Sequence, residues 1–96
     1  MKRRNEQSIG EILREYLKMT QVENVVYEER IAAAWHDLLG EAVASQTERI
    51  RLADGRLYVS LRSAALRSEL MMQRTALRRA VNERLGTDVV REVVVR

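Results

Sequence analysis

Residues 46–62 read Gln46-Thr-Glu-Arg-Ile-Arg-Leu-Ala-Asp-Gly-Arg-Leu-Tyr-Val-Ser-Leu-Arg62. Apolar and polar residues alternate on both sides of Asp54-Gly55, which is the period of a strand with one face buried. A type I′ turn needs positive φ at both central positions, and Asp-Gly supplies it, so the two runs form a hairpin. Ile50 and Leu52 fall on one face of the first strand, with Thr47, Arg49 and Arg51 on the other. On the return strand Leu57, Val59 and Leu61 share one face, and Arg56, Tyr58, Ser60 and Arg62 share the opposite one.

On both sides of this hairpin the period changes to that of a helix. Ser63 is placed to cap a helix carrying Leu66, Leu70, Leu77, Val81 and Leu85 on one side, and Gly86 ends it. Val89 to Val95, β-branched throughout its apolar positions, is a third strand. Towards the N-terminus, Ser8 and Glu11 form a Ser-x-x-Glu capping box. Behind it Ile9, Ile12, Leu13, Tyr16 and Leu17 make a helical stripe. Residues 19–24 lose that stripe and read as a connection. A second helix runs through Ile31, Trp35, Leu38 and Leu39 until Gly40 ends or interrupts it.

The order α-α-β-β-α-β predicts an α+β protein, a single small domain with a three-stranded sheet and helices on one face. Residues 1–7 form a flexible basic N-terminus, and residues 8–96 form the domain. A right-handed crossover through the third helix makes the last strand parallel to the second; which strand it borders stays open.

Ninety-six residues allow one compact core, and 46% apolar residues are enough to build it. Cysteine is absent, which removes disulfides, thiolate metal sites and cysteine nucleophiles. No apolar run approaches the roughly 20 residues of a membrane span, and Met1-Lys-Arg-Arg4 leads into polar residues rather than a signal core. The expectation is a reduced, intracellular, soluble protein. Charge is segregated: residues 1–48 hold 6 basic and 9 acidic side chains (−3), and residues 49–96 hold 11 and 5 (+6). Fifteen of the 17 basic residues are Arg, whose planar fork suits phosphate and carboxylate.

Catalytic arrangements are poor. His36 is the sole histidine, and neighbouring Asp37 lies about 100° away around a helix, so the two do not form a dyad. Glu28-Glu29 is a helix-surface pair rather than a metal site, and no glycine-rich phosphate loop exists. Glu11, Arg14, Glu15 and Lys18 fit ordinary surface pairing along a helix. Trp35 fits the core, and Met71 a gap in it, while Met72 points away from the leucines.

The outer face of the hairpin is the best candidate site. It presents Arg49, Arg51, Arg56, Tyr58 and Arg62, an aromatic among arginines, as platforms for single-stranded nucleic acid require. Arg67, Arg74 and Arg78 add a stripe on the third helix at steps of seven and four. A solvated face pairing with Glu48 and Glu92 is the plainer alternative.

The segment from Trp35 through Gly40, Thr47 and Asp54-Gly55-Arg56-Leu57-Tyr58-Val59, then from Ala65 to Leu70, resembles the bacterial DciA-type replicative-helicase loaders. Asn82, Leu85-Gly86 and the Val-rich end continue the similarity, which spans residues 8–96. The chain is similar to the short stand-alone forms common in Bacteroidetes. Leu66 stands where many members carry a second Trp, and the proline that often follows the threonine is missing here. The resemblance implies a KH-like fold, a cytoplasmic bacterial setting, affinity for single-stranded or duplex DNA, and the replicative helicase as partner. No Gly-x-x-Gly is present, so the backbone clamp of KH domains is missing. The expected function is a non-enzymatic DNA-binding module assisting helicase recruitment or loading, without cofactor, metal, small-molecule substrate or membrane. Two alternatives stand beside it: an interaction module whose arginine face meets an acidic protein, and a KH-like RNA-binding module.

Overall fold

The computed structural model describes the backbone of residues 3–96 and the side chains of those residues except 3–8, Leu17 and Thr20. The Ser8 side of the expected capping box, the basic side chains at the start of the chain and the place of Leu17 on its stripe lie outside the described residues. The elements are α1 (Arg3–Gln46), β1 (Thr47–Ala53), β2 (Arg56–Leu61), α2 (Ala64–Met72), α3 (Arg74–Leu85) and β3 (Glu92–Val95).

α1 runs through residues 19–24, where a connection is expected from the sequence. No glycine or proline interrupts residues 11–39, so nothing local stops the helix. The break comes at Gly40 instead, at φ 87° and ψ 172°, a region open essentially to glycine alone. Counting α1 as two segments about this kink, the order is α-α-β-β-α-α-β. The expected third helix is likewise divided at Gln73 (φ −105°, ψ 17°), whose amide donates back to the Leu70 carbonyl. Ser63 caps α2 as its position predicts, accepting from the Leu66 amide at 3.2 Å.

The hairpin turns at Asp54 (φ 51°) and Gly55 (φ 78°), as the Asp-Gly dipeptide requires. Its register pairs Arg51 with Tyr58 and Leu52 with Leu57. β2 is the central strand, antiparallel to β1 and parallel to β3. β3 is shorter than the expected strand over 89–95, because Val90 bonds to a side chain rather than to the sheet. Asn82 of α3, itself buried, donates to the Val90 carbonyl at 2.8 Å and accepts from its amide at 3.0 Å.

One alternation error matters. Thr47 pairs with Leu61, but Arg49 pairs with Ser60, so Glu48 is an extra residue in β1. The bulge turns Thr47 inward, away from the arginines with which strict parity groups it. There its hydroxyl accepts from the Trp35 indole at 3.0 Å and donates to the Val43 carbonyl at 2.9 Å. That chain of bonds ties the helix before Gly40, the helix after it and the first strand together.

The core lies between the helices and one sheet face. Trp35, 1% exposed, and Ile31 from α1 meet Leu57, Val59 and Leu61 of β2, with Leu70, Leu77, Val81 and Leu85 from α2 and α3. Arg30 fastens α1 to the end of α3 by donating to the Leu85 carbonyl at 3.0 Å, where a cation also suits the helix dipole. All helices thus cover the same side, and the other face of the sheet is open.

Candidate nucleic-acid interface

The open face follows from strand parity downstream of the bulge. Arg49 and Arg51 stand on β1, Arg56, Tyr58 and Ser60 on β2, and Glu92 and Val94 on β3, with Arg96 directly beyond. Tyr58 sits at the centre, opposite Arg51 on one side and Val94 on the other. The Arg96 guanidinium lies over its ring, 4.5 Å from the centroid. Such a contact contributes about 0.5–1 kcal/mol at an exposed site, enough to orient both groups but weak enough to be exchanged for a base. The Arg96 backbone is held in the sheet, its amide donating to the Val59 carbonyl at 2.9 Å and its carbonyl accepting from Leu61 at 3.0 Å.

The arginines differ in how free they are. Arg49 and Arg51 are exposed and make no hydrogen bond or ion pair with any described residue. Arg56 pairs with Glu92 at 3.2 Å, both largely exposed, so solvent screens the contact and leaves it easily exchanged. The Tyr58 hydroxyl and then Glu92 favour its charged form, moving its pKa further up. Arg62 donates to the Ser45 carbonyl at the end of α1. Sequence reasoning omits Arg96, although the alternation Glu92, Val94, Arg96 would have placed it on this face.

The second group does not join the first. Arg67 is half-buried and donates to the Leu61 carbonyl at 2.7 Å, closing the end of β2. Arg74, exposed, donates to the Met71 carbonyl at 2.9 Å, and Arg78 lies on α3 beside Arg79 and Asn82. The break at Gln73 separates Arg67 from Arg74, so the stripe expected from steps of seven and four is not continuous. Arg67, Arg74 and Arg78 belong to the helical layer, across the sheet from Arg49, Arg51, Arg56 and Tyr58.

Elsewhere, an open groove of about 470 Å³ runs between α1 and the free edge of β1, lined by Val25, Glu28, Ala32, Trp35, Thr47 and Ile50 among others. Glu28 accepts from the Leu52 amide there at 2.8 Å, satisfying one donor of the exposed strand edge. His36 lies at 2.7 Å from Glu41 rather than near Asp37, which pairs with Arg84 at 3.0 Å. The Glu41 carboxylate holds the His36 pKa above its ordinary value. Among the described residues no helix is long and apolar enough to cross a membrane, and no three His, Asp or Glu side chains are grouped to hold a metal.

Fold and site together define a small α+β domain with one helix-covered sheet face and one open, arginine-rich face around a single tyrosine. The chain belongs to the DciA family: residues 8–95 match the family described as Dna[CI] antecedent, DciA. That family's role is related to loading of the replicative helicase. No curated protein matches the chain.

Proposed function

We propose that this chain is a non-enzymatic DNA-binding module that assists recruitment or loading of the bacterial replicative helicase in the cytoplasm, and that the open sheet face is where DNA binds. The observation that supports it is the setting of Tyr58, an aromatic ring on an open sheet between Arg51 and Arg96, with Arg49 and Arg56 beside it. Arg49 and Arg51, unoccupied by protein partners, neutralise phosphates. Tyr58, with Arg96 stacked on it or swung aside, offers a flat surface to a base. Stacking of this kind is tolerant of sequence and needs unpaired bases, so single strands are preferred over duplex. Arg62 flanks the platform. Arg67, Arg74 and Arg78 lie outside it.

Fluorescence anisotropy against single-stranded DNA, duplex DNA and RNA at two salt concentrations tests this reading. Replacing Arg49, Arg51 and Arg96 by Ser should weaken single-strand binding on every sequence. It should also reduce the slope of log K against log salt by up to about 0.7 per lost phosphate contact. Tyr58→Ala should cost roughly 1–3 kcal/mol of affinity while leaving the salt slope nearly unchanged. If the triple variant binds as the wild type does, with the same slope, the face is solvated surface and the reading fails.

A further inference from the structure

α1 is longer than the domain it serves. Glu28 is level with Leu52 near the hairpin tip, and among the described residues the first fully buried side chain along the helix is Ile31. Residues 9–23 therefore project past the sheet, none of their described side chains even half-buried, and the molecule extends 60 Å against 25 and 20 Å. An isolated helix of this length is marginal in water, since its stability normally comes from packing an apolar face. Such a face is present. Eight large apolar side chains between Ile9 and Val26 are each 51–71% exposed. The five on one side of the helix, Ile9, Ile12, Tyr16, Met19 and Val26, expose on the order of 500 Å², the size of the largest patch on a typical monomer, which is often functional.

The pattern has a heptad period. Ile9, Ile12, Tyr16, Met19 and Val26 follow one another at steps of three, four, three and seven, the spacing of a coiled-coil seam, with Glu23 at the position between the last two. We propose that this seam pairs antiparallel with the same seam of a second copy of the chain. A two-fold axis makes one patch serve both sides, so the surface needs no other partner to be complementary. Centred between residues 17 and 18, the pairing sets Tyr16 against Met19 of the second copy and Ile9 against Val26. Glu11 then meets Asn24, Arg14 meets Gln21, and Glu23 lies against Ile12, so no like charges are opposed.

Parallel pairing would instead place Glu23 against its own copy inside the seam, where like charges repel. The segment 9–26 holds three acidic and two basic residues, close to neutral, whereas the half of the chain from residue 49 carries +6. Two copies therefore approach through the one region where their charges scarcely oppose it. This pairing does not depend on what the sheet face binds.

Sedimentation equilibrium of the full chain, from micromolar to several hundred micromolar, tests the pairing. The average mass should rise from one chain to two. Ile9→Lys combined with Met19→Lys, which face Val26 and Tyr16 of the second copy, should weaken association at least a hundredfold, while Trp35 fluorescence and the urea midpoint of the core stay as in the wild type. The chain has no cysteine of its own, which allows orientation to be read directly. Under mild oxidation, Tyr16→Cys and Met19→Cys proteins should cross-link when mixed and not when each is alone. A monomer at every concentration overturns the proposal, even if another protein is later found to bind the helix. Cross-linking of either single variant with itself, as efficient as that of the mixture, overturns the antiparallel arrangement.

Discussion

Thr47→Val is the sharpest test of how the bulge organises the core. Valine keeps the shape of threonine and removes only the hydroxyl. In the folded protein that hydroxyl accepts from the indole of Trp35, itself 1% exposed, and donates to the Val43 carbonyl beyond the kink. Without it a buried N–H is left without a partner, which costs about 1–3 kcal/mol, and the half-buried carbonyl loses a bond worth less. A net loss of about 2 kcal/mol is expected, or roughly 8–16 °C in melting temperature for a domain of this size. Thr47→Ser is the matching control. It keeps both hydrogen bonds and removes one half-buried methyl group, so it should cost under about 0.8 kcal/mol. Urea unfolding followed by the fluorescence of Trp35, the one tryptophan in the chain, reports on the site itself. If Thr47→Val and Thr47→Ser unfold at the same urea concentration, Thr47 does not turn inward as the register at Glu48 requires.

Asn82→Ala should destabilise by roughly 2–4 kcal/mol, because it strands both backbone groups of Val90 in a buried setting, and thermal melts by circular dichroism would show it. Gly40→Ala should cost about 1–3 kcal/mol although no atom crowds the site, since the strain lies in φ 87° and ψ 172°; a chemical melt unchanged from wild type would contradict this. His36 should titrate above its ordinary value of 6.5 in an NMR experiment, and Glu41→Gln should lower the midpoint. Because the folded pKa is raised, the stabilising contact across the kink is fully present below the unfolded value. It is lost as pH rises through the raised folded one.

Much of the fold is legible in residues 46–62. Asp54-Gly55 and the flanking alternation specify the hairpin, its turn and the face that carries Arg49, Arg51, Arg56 and Tyr58. What the sequence hides is geometry decided by tertiary partners. Glu48 fits an alternating pattern, so nothing local reveals that it is supernumerary; only the pull of the Trp35 indole on Thr47 explains the bulge. Gln73 carries no glycine or proline signal, and its turn splits a helix that reads as continuous. Arg67 looks like one more residue of a basic stripe, but its guanidinium donates to the Leu61 carbonyl at 2.7 Å. Arg96 was within reach of parity and completes the platform through a ring contact that spacing alone does not reveal.

Amide shifts in a ¹H–¹⁵N NMR titration with a short oligonucleotide show whether the open sheet face receives single-stranded DNA. The largest changes should fall at Arg49, Arg51, Arg56, Tyr58, Ser60, Val94 and Arg96, with Arg74, Arg78 and residues 9–26 nearly still. Changes concentrated on α2 and α3 around Arg74 and Arg78, with Tyr58 and its neighbours unmoved, would contradict it.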